Sequence, residues 1–178
     1  MPRVFALLVF VVLGVIFPAG AVAQTSPTGG SEYSEPAPIV APGAKATLLP
    51  DGSAAAPAEA PPEVQAAIFA ANKLLDKPYK YGGGHAKVED SGYDCSGTVS
   101  YALLAAKLIK GPLDSSSFMR WGLRGKGQWI TVYTNPGHAY AVIAGLRFDT
   151  SGPGPRGPRW RKAARSSRAF TARHPEGF

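Results

Sequence analysis

Asp94-Cys95-Ser96-Gly97-Thr98-Val99-Ser100-Tyr101-Ala102-Leu103 reads as the opening of an apolar helix, with Val99, Ala102, Leu103, Ala106 and Ile109 on one face and Gly111-Pro112 as its stop. Cys95 therefore stands at a helix N-terminus, where orphan backbone N–H groups and the positive end of the helix dipole stabilise a thiolate, the reactive form of cysteine. A small buried core cysteine is the alternative for such a residue. The position beside Asp94 and Ser96, off the apolar stripe, speaks against it.

Cys95 is the single cysteine among 178 residues, so no internal disulfide can form. His85, Cys95, His138 and His174 show no close metal-ligand spacing, and neither a metal nor a cofactor is expected. Before Cys95, Pro61-Pro62-Glu63 suits a first helical turn, and Val64, Ala67, Ile68, Ala71, Leu74 and Leu75 recur at helical spacing up to Pro78. Tyr79-Lys80-Tyr81-Gly82-Gly83-Gly84-His85 follows as a glycine-rich loop. It has no lysine-serine/threonine continuation and so is not a phosphate-binding loop.

Further upstream, Arg3 precedes an apolar run from Val4 to Phe17 that is short for a membrane span. With Ala21-Val22-Ala23 after it, the segment reads as an export signal, residues 1–23, leaving no stable membrane anchor once cleaved. Residues 24–62 are rich in Pro, Ala, Ser and Gly and are expected to be a disordered spacer. A solitary thiol in an exported chain calls for a reason, because oxidising compartments favour paired cysteines or none.

Downstream, 112–126 is expected to be loop, and Gln128–Tyr133, His138–Ile143 and Leu146–Thr150 read as strands with Asn135-Pro136-Gly137 as the first turn. A thiolate nucleophile needs an imidazole partner, and His138, at the start of its strand, is the best placed of the three histidines. Strand alternation puts His138, Tyr140 and Val142 on one face. If Ala144-Gly145 is a two-residue hairpin loop, Ile143 faces Leu146 and the count outward sets Tyr140 opposite Asp149, on His138's face. A three-residue loop would bring Thr150 there instead, and His174 is the third candidate should the tail fold back.

These motifs together resemble the NlpC/p60-type cell-wall cysteine peptidases, whose domain carries a Y-x-x-G-G loop, a D-C-S-G nucleophile turn and a G-H strand; here they are YKYGGG, DCSGTVSYAL and GHAYAVIAG, in that order over 63–151. The resemblance implies an α+β, papain-like NlpC-type fold with helices packed on a small antiparallel sheet. It also implies a secreted cysteine endopeptidase that cleaves amide bonds in peptidoglycan stem peptides, of the D-γ-glutamyl–diamino acid type, through a thioester. Carried over, Cys95 is the nucleophile, His138 the base and Asp149 the third catalytic residue, while Tyr81, Asp94 and Ser96 fall at substrate-binding positions. Residues 127–137, GQWITVYTNPG, lack the acidic residue of the family's usual strand before the histidine. A non-catalytic wall-binding module of the same fold and a thiol amidase or acyltransferase are the alternative readings.

Residues 152–178 read as a basic C-terminal extension carrying Arg156, Arg159, Arg161, Lys162, Arg165, Arg168 and Arg173. Within 63–178, 17 basic residues stand against eight acidic ones, a net of +9. For an exported protein the expected counter-surface is an anionic envelope polymer or lipid headgroup, besides peptidoglycan itself, and not nucleic acid; an ordinary solvated surface is the alternative reading. Trp160 would either pack the tail onto the domain or contact glycan.

Overall fold

The computed structural model describes residues 38–154, 156–161 and 165–178; the expected export signal, residues 24–37 of the expected spacer and Lys162 lie outside them. The chain enters through β1 (Val40–Ala41), β2 (Thr47–Leu48) and β3 (Ala54–Pro57), a three-stranded sheet in which β3 lies between the parallel β1 and the antiparallel β2. The spacer expectation therefore fails over 38–62. Ala54, Ala55 and Ala56 are small enough to be buried completely while their backbone pairs on both sides, so little apolar bulk is needed to hold them.

Helix α1 (Pro62–Asn72) starts at the double proline and buries Val64, Ala67, Ile68 and Ala71, the stripe its spacing predicts. Its last residue ties three elements together: Asn72 accepts from the Ala54 N–H at 3.0 Å, donates to the Ala54 carbonyl at 2.9 Å and accepts from the Trp160 indole at 2.8 Å. Helix α2 (Cys95–Ala105) is buried from Ser96 to Leu103, nearly all round, as befits a central helix packed against α1 on one side and the sheet on the other. Within the expected loop 112–126 stand two short elements, α3 (Ser115–Phe118), capped by the Asp114 carboxylate on the Ser117 N–H, and β4 (Leu123–Arg124).

The remaining strands are β5 (Ile130–Asn135), β6 (His138–Ile143), β7 (Leu146–Asp149), β8 (Arg159–Arg161) and β9 (Thr171–His174). Together with β4 they form a six-stranded antiparallel sheet in the order β4-β9-β5-β6-β7-β8. α2 lies on β6, whose Ala139 and Ala141 are fully buried and let the helix approach closely.

The tail beyond 151 is thus not an extension outside the core. β9 inserts beside β5, β8 pairs with β7, and Trp160 packs on Phe148 with ring centroids 4.7 Å apart. Its basic residues divide accordingly. Arg161 bonds the Pro153 carbonyl at 3.0 Å and Arg165 turns inward onto Asp149, whereas Arg156 and Arg168 stay exposed.

Candidate active site

Cys95 is the first residue of α2, and the residue before it builds the mouth of the helix. Asp94 is extended, with ψ −176°, and its Oδ1 accepts the Gly97 N–H at 2.7 Å, an N-cap that meets one of the helix's orphan donors. The same carboxylate accepts the Ser96 hydroxyl at 3.1 Å, the Gly82 N–H at 3.1 Å and His85 Nε2 at 3.0 Å. Asp94 so fastens the glycine-rich loop to the turn that carries Cys95. The fastening needs bare backbone: a Cβ on Gly97 would strike the Gly83 carbonyl, and Gly82 and Gly84 hold φ of 72° and 84°.

The partner histidine comes from the β6–β7 hairpin. Ala144 and Gly145 have φ of 47° and 90°, both positive as a type I′ turn requires, and Ile143 pairs with Leu146, Val142 with Arg147 and Ala141 with Phe148. This register brings Asp149 Oδ1 to 2.9 Å from His138 Nε2. With Nε2 so engaged, Nδ1 is the ring nitrogen available to Cys95.

Asp149 has no exposed side-chain surface, and its charge is met from several directions. Oδ1 also accepts the Ser151 N–H and hydroxyl, each at 2.9 Å; Oδ2 accepts Arg165 Nη1 at 2.9 Å and has Arg147 Nε at 3.5 Å. Burial pushes the Asp149 carboxyl up, but the His138 and Ser151 hydrogen bonds outweigh it and bring it down to about 2. Burial likewise disfavours protonated His138, yet the bonds to Asp149 and then Cys95 prevail and raise it to about 9. For the Cys95 thiol, burial is the largest influence and works upward; the His138 side chain, the Ala139 N–H and the His138 charge together overcome it, leaving the thiol below its ordinary value of 9.0. All three directions favour a thiolate–imidazolium pair beside a carboxylate.

The thiol opens into a cleft of about 470 Å³ lined by Tyr79, Tyr81, Gly82, His85, Asp94, Ser96, Asp114, Ser115, Pro136 and Gly137 with Cys95 itself. Of the three residues expected at substrate-binding positions, Tyr81 stands 91% exposed at the mouth, while Asp94 and Ser96 are buried and engaged with each other. Thr150 is buried and does not share in the His138–Asp149 contact; His174 sits on β9 with Nδ1 3.2 Å from the Gly125 carbonyl, away from His138. Among the described residues no group of three or more His, Cys, Asp and Glu side chains could hold a metal ion.

Three neighbours of this site escaped the sequence reading. Ser151 was legible in principle, two residues past Asp149 at the spacing of a side-chain turn. Arg165 and Phe170 were not, because their place depends on the tail folding back. Phe170 meets the His138 ring edge-on at 6.2 Å and the Tyr140 ring at 5.1 Å.

No protein-family model matches the chain, and no curated protein matches it. Among solved structures the chain is similar to the peptidoglycan hydrolase RipB from Mycobacterium tuberculosis, at 19% identity and a TM-score of 0.48, over 62% of this chain and 64% of that one. The match thus spans less than two thirds of either chain.

Proposed function

We propose that the protein is a cysteine endopeptidase of the cell wall, exported by its first 23 residues, that hydrolyses amide bonds in peptidoglycan stem peptides. The observation that carries the chemistry is the placing of Cys95 at a helix mouth against His138, itself held by Asp149 at 2.9 Å. The substrate class rests on the ordered resemblance of YKYGGG, DCSGTVSYAL and GHAYAVIAG to the NlpC/p60-type peptidases.

In the proposed reaction the Cys95 thiolate attacks the amide carbonyl carbon, and the carbonyl electron pair moves onto oxygen. Backbone N–H groups at the start of α2 hold that oxyanion. On collapse the C–N bond breaks, and His138 gives its Nδ1 proton to the departing amine, leaving a thioester on Cys95. A water molecule loses a proton to His138 as its oxygen attacks the thioester, and expulsion of the thiolate releases the acid. Asp149 keeps Nε2 protonated and the ring oriented throughout.

Incubation of purified peptidoglycan with the wild-type chain and Cys95→Ala, followed by mass spectrometry of released peptides, tests the reading. Stem-peptide fragments are expected from the wild type, with release falling at least about 10³-fold in the variant. Equal release from both would overturn the cysteine mechanism. Release of peptides joined to an added amine, in place of free acids, would favour acyl transfer.

A further inference from the structure

Asp149 serves two cations with its two oxygens. Oδ1 takes His138 Nε2, and Oδ2 takes Arg165 Nη1, which at 2.6 Å also grips the Ser151 hydroxyl that bonds Oδ1. Arg147 lies 3.5 Å from the same Oδ2, yet its Nε makes no hydrogen bond, so Arg165 is the group that holds this oxygen. The guanidinium is itself fixed, lying 5.2 Å from the centre of the Tyr140 ring and 5.1 Å from that of Phe170. One nitrogen, Nη1, grips both acceptors while the cation lies against the two rings, an arrangement that calls for positive charge at this place. Arg165 thereby locks the carboxylate so that Oδ1 faces His138, and it draws off part of the negative charge that His138 would otherwise command alone.

We propose that Arg165 is a positioning residue that acts through Asp149 to orient His138 and to keep its proton transferable. The proposal rests on the peptidase reading for its purpose: a general acid held too firmly by its carboxylate would not release a proton to the leaving amine. The charged and titratable groups around the His138–Asp149 pair are Cys95 at the start of α2, Tyr140 on the strand of His138, Tyr133 stacked on Tyr140 from β5, Arg147 on β7, Arg159 and Arg161 on β8 beside Asp149, and Arg165. Of the four arginines only Arg165 hydrogen-bonds Asp149, so removing its charge leaves the carboxylate more fully to the imidazolium.

The test follows the imidazole nitrogens of the full chain by NMR across pH, with the three histidines labelled and His138 assigned from His138→Gln. Arg165→Gln is expected to move the His138 midpoint upward by about one pH unit, the scale of one nearby charge. Arg165→Lys, which keeps the charge, is expected to return the midpoint to the wild-type position. An unchanged or lowered midpoint in Arg165→Gln, an Arg165→Lys chain that behaves like Arg165→Gln, or loss of the folded circular-dichroism spectrum in Arg165→Gln would each overturn the role. A wild-type His138 titrating at the ordinary 6.5, with Cys95 alkylated at the rate of a free thiol, sinks the peptidase reading instead. The difference between wild type and Arg165→Gln still decides the part Arg165 plays.

Discussion

The thiol and the imidazole at this site impose opposite pH dependences on stability. His138 is raised from 6.5 to about 9 on folding, so its stabilisation is complete below 6.5 and is lost as pH climbs through about 9. Cys95 is lowered from 9.0, so its stabilisation is complete above 9.0 and is lost as pH falls. Between 6.5 and 9.0 a thiolate–imidazolium pair carries the same number of protons as the neutral pair of the unfolded chain, so the two slopes oppose each other. Cys95→Ala removes one slope and leaves the other. Urea midpoints taken from pH 6 to 9 are expected to fall more steeply in Cys95→Ala than in the wild type; parallel profiles would mean that the pair does not form. Asp149 adds nothing to this contrast, since its lowered carboxyl stabilises above the ordinary 3.8 and loses its effect only as pH falls towards about 2.

At the level of elements, Asn72 is the joint on which β3, the end of α1 and β8 meet. Asn72→Ala leaves the Ala54 N–H and carbonyl and the Trp160 indole without their partner, and about 2–3 kcal/mol of stability is expected to go with them. A lowered urea midpoint with an unchanged slope would show it, and a loss within about 0.5 kcal/mol would deny the joint. The β6–β7 hairpin is where local sequence said most: once Ala-Gly forms a two-residue turn, the register it sets brings Asp149 beside His138. Asp94 was legible as a helix-mouth residue but not as the fastening of the glycine loop, because a contact with Gly82 twelve positions back leaves no local trace. β3 was hidden for another reason. Three alanines carry neither strand propensity nor alternation, and their order comes from Asn72 and two flanking strands.

The whole molecule depends on its tail for sheet, wall and charge. Ending the chain after Ser151 removes β8 and β9, strips partners from β7 and β5, and takes away Arg165 and Phe170. Such a chain is expected to elute as aggregate and to melt without a cooperative transition, because open strand edges whose residues are otherwise buried invite pairing with other copies. A monomer with a sharp melt would show that 38–151 suffices. That dependence was illegible in the basic, glycine- and proline-rich sequence of the tail, where a strand of Thr171-Ala172-Arg173-His174 acquires meaning only beside β5. The insertion of β9 between β4 and β5 also sets an order of events during synthesis. Cys95 leaves the ribosome early, but the slot beside β5 stays empty until His174 has followed, and long-range pairings of this kind close late. The nascent chain therefore holds Cys95 before the sheet that carries His138 is complete, and under the peptidase reading the assembled Cys95–His138–Asp149 site waits on β9.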